Sequence, residues 1–77
     1  MRVKLFAALR DIAGASELDV DASDVATLRE DLSAKFGEEF ARILAAGAVI
    51  VDGEKAGPGR NLEPDDEVAL LPPVSGG

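Results

Sequence analysis

The chain contains no cysteine, histidine, tryptophan or tyrosine, and a single methionine among its 77 residues. Without cysteine it has no disulfide and no thiolate nucleophile, and without histidine it has no imidazole base. The two absences together also remove the usual zinc ligands. Aromatic residues are confined to Phe6, Phe36 and Phe40. A chain this short forms one domain and buries only roughly 60% of the surface it exposes when unfolded, so it builds a single core. That leaves little room for a substrate cavity of the usual roughly 300–1,000 Å³. Long apolar runs are also missing. The stretch "LFAAL" is too short and too weakly framed for a signal peptide, and nothing approaches the ~20 residues of a membrane helix. The expectation is a soluble, cytoplasmic protein with no membrane partner.

Positive charge is scarce as well. Fifteen acidic residues against eight basic ones leave a net charge of -7. Binding phosphates needs clustered Lys and Arg, which argues against nucleic acid or an anionic membrane as partner. A basic protein surface is the partner this charge favours, mainly through faster encounter. What the chain does have is 47% apolar residues, enough for a folded globule.

Those apolar residues are patterned. In "RVKLFA", Val3, Leu5 and Ala7 alternate with Arg2, Lys4 and Phe6, the period of a half-buried strand. "LRDIAGAS" carries turn residues around Gly14 and "ELDV" resumes alternation, so the expectation is an opening β-hairpin. Val25, Leu28, Leu32 and Phe36 then make one stripe at helical spacing. Asp24 or Ser23 is its cap, with Thr27 and Glu30 as a competing capping box, and Gly37 is placed to end it. "EEFARIL" adds about two turns with Phe40, Ile43 and Leu44 inward. "AVIV" reads as a strand, Asp52-Gly53 as a tight hairpin turn, "EKA" as a short return and "EVALL" as the last strand.

Three constellations invite a chemical reading. "GPGRNL" has glycines but neither follows a strand into a helix nor carries a P-loop Lys-Ser/Thr, so it reads as a mobile surface loop. The neighbouring acids Glu38-Glu39 and Asp65-Asp66-Glu67 read as solvated charge, because acid–base catalysis needs a carboxyl shifted by burial or a close partner. Asp65 and Asp66 also lack EF-hand spacing. The outer sheet face is more telling. If Val3, Leu5, Val68 and Leu70 face the helix and Val49 and Val51 point inward, then Phe6, Ile50 and Leu71 share the open face as a candidate docking patch. A one-residue slip in register would exchange the two faces.

The chain closes on "LLPPVSGG". Pro72 and Pro73 have no N–H for a sheet ladder, so the last strand stops there, and they favour an extended, stiff path. From Pro72 to Gly77 such a path reaches roughly 20 Å at about 3.3–3.6 Å per residue. Gly76 and Gly77 lack a Cβ and pass through a channel too narrow for other residues. A terminal carboxylate is inert until joined to a nucleotide, after which its carbonyl is an acyl donor.

A ββαββ-like domain ending in "DDEVALLPPVSGG" closely resembles the small subunit of molybdopterin synthase, a ubiquitin-like sulfur carrier. The resemblance spans the first strand "RVKLFA", the helix after "ASD", the "VDG" turn and the tail. It departs at Asp52, where the family often has Asn, and at Asp65-Asp66, where it commonly has Gly-Asp. The resemblance implies an α+β, ubiquitin-like β-grasp over residues 1–71, a mixed sheet with one main helix on one face, followed by a flexible tail over 72–77. It further implies that an adenylating, E1-like enzyme activates the Gly77 carboxylate with ATP and that a sulfur donor converts it to a thiocarboxylate. The tail would then enter the large subunit of molybdopterin synthase and pass sulfur to a cyclic pterin precursor. Gly77 would carry the sulfur, Gly76 would give clearance, and Pro72, Pro73, Val74 and Ser75 would thread the channel. Phe6, Ile50 and Leu71 would grip the large subunit, in an assembly of two large and two small subunits. The small subunit would be a donor rather than a catalyst and would bind no cofactor or metal itself, ATP being held by the activating enzyme. The same tail would also suit a sulfur carrier for thiamine or tRNA thiolation, or a protein modifier conjugated through Gly77.

Overall fold

The computed structural model describes residues 1–74. Its five strands are β1 (Arg2–Leu5), β2 (Glu17–Asp19), β3 (Ala48–Val51), β4 (Glu54–Lys55) and β5 (Glu67–Leu71). They form one sheet in the order β2-β1-β5-β3-β4. The last strand is therefore the central one. It runs parallel to β1 and antiparallel to β3, and the two outer pairings are antiparallel. This mixed sheet is the β-grasp arrangement expected. The helical layer is richer than one main helix, with α1 (Ala7–Ala13), α2 (Val25–Phe36) and α3 (Glu38–Ala46).

Alternation along the strands decides which face the helices cover. Val3 and Leu5, Val49 and Val51, and Val68 and Leu70 are all 2% exposed or less. They meet Leu9 of α1, Val25, Leu28 and Leu32 of α2, and Phe40 and Leu44 of α3 in one cluster. Ile43 and Phe36 are half-buried at its rim. Burying Phe40 completely contributes about 1.5–3 kcal/mol of apolar transfer. Its ring lies 5.1 Å from that of Phe36 and so fastens α3 to α2.

The opening hairpin of the sequence reading needs correction. β1 and β2 do pair antiparallel, but a helix and not a turn joins them. The strand stops at Leu5, and Ala7, expected on the inner face, is exposed with a left-handed φ of 50°. The reason lies in Leu9, Ile12 and Ala13, whose helical spacing lets α1 bury Leu9 in the core. Gly14, read as a turn residue, is the left-handed C-cap at φ 74°, its N–H donating to the Arg10 carbonyl over 2.9 Å.

The start of α2 shows why "GPGRN" is not a free loop. Of the capping candidates Asp24 is the one used, its carboxylate accepting from the Thr27 N–H at 2.8 Å. The two preceding donors go to the loop: the Val25 N–H to the Arg60 carbonyl and the Ala26 N–H to the Pro58 carbonyl, both at 3.0 Å. The Leu62 N–H returns a bond to the Ser23 carbonyl, and Asp24 and Asn61 form an isolated bridge. Expected to be mobile, this segment is tied to the helix by its backbone. Its carbonyls occupy the donors that a phosphate would need.

Asp52 plays a comparable part at the other end of the sheet. With φ 50° at Asp52 and 84° at Gly53, the pair forms the expected tight turn between β3 and β4. The Asp52 N–H donates to the Glu67 carbonyl, and its carboxylate accepts from the Glu67 N–H at 2.9 Å. The turn is thus stitched to the start of β5. That bond first, then one shared with Asp66 and the nearby Arg60 charge, holds the Asp52 carboxyl below its ordinary value. Asp24 is lowered likewise by its bonds with Thr27.

Both carboxyls are depressed relative to 3.8, so each favours the folded state above that value and loses its contribution as pH falls through the lowered one. Replacing both with Asn keeps an N-cap and a turn-tolerant residue but removes the titration. Urea unfolding of D24N/D52N should show stability near the native value at neutral pH. Between about pH 5 and pH 2 the decline should be shallower than that of the native chain; an identical decline would overturn this assignment.

Candidate docking face and tail

The sheet's other face is uncovered by helices. Its residues follow from the register: Lys4 stands opposite Ala69, Ala69 opposite Ile50, and Ile50 opposite Lys55. One row further on, Leu71 pairs with Ala48. The parity expected from the sequence therefore holds, and Ile50 and Leu71 lie on the side opposite Val49, Val51, Val68 and Leu70. Both are half-buried. Phe6 follows Leu5, the partner of Leu70, in extended backbone with φ -126° and ψ 149°. Its parity is that of Arg2 and Lys4. At 41% exposed it is, with Val74, one of two exposed large hydrophobic side chains among the described residues. Strand geometry thus gathers Phe6, Ile50 and Leu71 on one face.

Sequence reading missed how this face is charged and shaped. A solvent-open hollow of about 490 Å³ lies there, between Arg2 and Lys4 on one side and Asp65, Asp66 and Glu67 on the other, with Ile50 and Ala69 in its floor. The scarcity of aromatics argued against such a volume; the hollow comes from the bare sheet and the turn beside it and takes nothing from the core. Arg2 also bonds Glu17 of β2 at 3.2 Å. The face is therefore zoned by charge, although the chain as a whole is acidic. The signal was available in the alternation of Arg2 and Lys4 with the buried Val3 and Leu5. The acidic turn is built for shape: the Asp66 carboxylate accepts from the Glu63 N–H at 2.8 Å. Among the described residues, no group of three His, Cys, Asp or Glu side chains is placed to hold a metal ion. No helix among them is long and apolar enough to cross a membrane.

The tail leaves this face directly. β5 ends at Leu71, Pro72 is half-buried, and Pro73 and Val74 are exposed, Val74 at 87%. A second hollow of about 240 Å³ lies beside the exit, lined by Gly47 and Ala48, Lys55, and Leu71 to Val74. Ser75, Gly76 and Gly77, the remaining expected tail residues, lie outside the described residues. What the arrangement offers chemically is a carried group: a bare, charge-zoned face to bind a partner, and a segment projecting from its central strand.

Comparison with known proteins agrees with this layout. Small archaeal modifier protein 1 of Haloferax volcanii is 37% identical over 87 aligned residues, covering all of both chains. The solution structure of small archaeal modifier protein 1 from Methanosarcina acetivorans is 28% identical, with a TM-score of 0.85 over 99% of this chain and 94% of that one. A chain in the complex of subunits 1 and 2 of molybdopterin-converting factor from Helicobacter pylori is 25% identical, with a TM-score of 0.71 over 99% of this chain and 96% of that one. The ThiS family model matches residues 3–77, from the first strand through both final glycines. By sequence along its whole length and by its β-grasp architecture, the chain belongs to the ThiS family of ubiquitin-like sulfur carriers.

Proposed function

We propose that this chain is the sulfur-donor subunit of molybdopterin synthase, with the Gly77 carboxylate as the carried group. The observation that carries the reading is the extent of the family match, which runs through Gly76 and Gly77 behind the Pro72–Pro73 stop. In the first step one oxygen of the Gly77 carboxylate attacks the α-phosphorus of ATP on an adenylating enzyme. The bond to pyrophosphate breaks and an acyl-adenylate forms. Hydrosulfide-level sulfur then attacks the carbonyl carbon, AMP leaves with the acyl oxygen, and a thiocarboxylate remains. In the large subunit that sulfur attacks an electrophilic carbon of the cyclic pterin precursor, displacing an oxygen leaving group. Water cleaves the resulting thioester, which leaves sulfur on the pterin and returns the carboxylate to Gly77. No oxidation or reduction is required. Because activation consumes ATP, the proposal sets the chain in the cytoplasm.

Each proposed part has a physical reason. Gly77 presents an unhindered carbonyl, and Gly76 allows any backbone twist in a narrow channel. Pro72 to Ser75 thread that channel, and the stiffness of the proline pair lowers the entropy lost on docking. Phe6, Ile50 and Leu71 supply the apolar grip on the large subunit, with Arg2 and Lys4 beside it to steer approach. Two large and two small subunits complete the proposed assembly.

A second reading is favoured by the 37%-identical relative, which is named as a protein modifier. In that case a lysine ε-amine of a target attacks the same acyl-adenylate, AMP leaves and an isopeptide bond forms. The two readings share activation and differ in the acceptor.

Intact-mass analysis of the full chain, incubated with the adenylating enzyme, ATP and sulfide, separates them. The expected result is a gain equal to one oxygen exchanged for sulfur, mapped to Gly77, and sulfur delivery to the pterin precursor when the large subunit is added. Activation with no sulfur delivery, together with Gly77 found in isopeptide linkage, would replace the carrier by the modifier. Adding one residue after Gly77 should abolish the mass gain, because the carboxylate moves out of reach.

The docking face has its own test. Ile50→Glu places a charge at the centre of the proposed grip, where leaving a charge buried and unpaired costs several kcal/mol. Titration calorimetry against the large subunit should show affinity reduced at least about 100-fold, in line with a loss of about 2.8 kcal/mol or more. The thermal midpoint should stay near the native value, since Ile50 lies outside the core. Unchanged affinity would remove Ile50 from the interface.

A further inference from the structure

We infer that Gly47 positions the reactive tail by acting as the seat on which its base rests. This rests on the carrier reading above. Gly47 lies between the end of α3 and the start of β3, and its N–H donates to the Ile43 and Leu44 carbonyls at 3.0 and 3.1 Å. Its φ of -96° is one that any residue adopts, so left-handed freedom does not call for glycine here. Space does. A methyl group at this position would fall inside the contact radius of the Leu71 carbonyl oxygen. It would also stand 3.0 Å from the carbonyl carbons of both Leu71 and Pro72. All three atoms are backbone, so no side chain can swing aside.

These atoms are the last of β5 and the first of the tail. The neighbouring pair Ala48–Leu71 is the final rung between β3 and β5, so Gly47 sits one residue past the end of the ladder. Beyond that rung no sheet hydrogen bond directs the chain, and close approach to Gly47 supplies the missing restraint. The hollow of about 240 Å³ beside the exit continues the contact along Pro72, Pro73 and Val74. A displacement at this seat is passed outward by the stiff proline pair. Over a reach of roughly 20 Å to the tip it grows. Misplacing a reacting group by about 1 Å costs on the order of 100-fold in rate. Gly47 is accordingly a positioning residue, acting through Leu71 and Pro72 on an atom it does not touch.

Gly47→Ala tests this in the full-length chain, with ATP–pyrophosphate exchange on the adenylating enzyme as the rate readout. The expected result is a kcat lower by about 10- to 100-fold, with KM within about 3-fold of native, because the docking face is intact and only delivery is disturbed. Amide NMR shifts should move from Leu71 to Val74 and stay fixed at Val3, Leu28 and Val68. Adding Pro72→Gly to Gly47→Ala makes the base pliable and should restore at least part of kcat, which a merely structural role of Gly47 would not allow. A native kcat in Gly47→Ala overturns the inference. So does a kcat loss that follows the unfolded fraction and is not rescued by Pro72→Gly. If the native chain itself shows no exchange, the carrier reading fails and the inference fails with it, a result distinct from the other two.

Discussion

The structure depends on the placement of β5 at the centre of the sheet. Paired over four residues with β1 on one side and over four with β3 on the other, it joins the two halves of the chain. Val68 and Leu70 point into the core with 2% exposure or less, so slipping the strand by one residue would expose both and bury Ala69 and Leu71 instead. Register is thereby held by hydrophobic burial as well as hydrogen bonds. The same strand continues into the tail, so whatever anchors β5 also anchors the base of the projecting segment. A tail hung from an edge strand would inherit the fraying of that edge.

Around this strand, two carboxylates do work that the sequence alone would assign to solubility. Asp24 caps α2 and Asp52 ties the β3–β4 turn to the first residue of β5. Between them lies the irregular stretch from Ala56 to Asp66, with no helix and no strand. It is held by backbone bonds to Ser23, Val25 and Ala26, and by the buried side chains of Ala56 and Leu62. A domain with so small a core cannot leave eleven residues loose without a large entropic cost. Anchoring them on the helix N-terminus satisfies otherwise unpaired donors with no added residue.

Much of this was legible in the amino-acid sequence because it is periodic. Val25, Leu28 and Leu32 announce α2, and the alternating valines of β3 and β5 announce both strands and the face they bury. Asp52-Gly53 announces its turn. Where the reading failed, periods competed. "LFAALRDIA" continues the alternation of β1 for two residues while already carrying the helical spacing of Leu9, Ile12 and Ala13, and burial of Leu9 decides for the helix. The loop from Gly57 to Asn61 looked free because its partners are backbone groups distant in sequence, which leave no mark on residue choice. Gly47 was illegible for a related reason. A glycine required by the close approach of a strand 24 positions away looks like any other glycine after a helix.

The absence of cysteine and histidine acquires a physical sense in this architecture. A chain with one small core has no interior in which to shift a pKa or exclude water, the two conditions under which side-chain nucleophiles and bases become effective. Chemistry carried on the main chain escapes both requirements, since activation and water exclusion are supplied by the enzymes that receive the tail. What the domain must then provide is mechanical: a face that docks, a base that does not move, and a segment slim enough to enter another protein. Stiffness and freedom have to be divided along the chain, with the strand and proline pair setting direction and the glycines adapting only at the end. Placing the break between rigid and free too early would scatter the tip over many directions, and placing it too late would forbid entry into a curved channel. The succession of central strand, Gly47 seat, Pro72–Pro73 and Gly76–Gly77 puts that break after the prolines, so the base aims the tail and the last residues fit it to its partner.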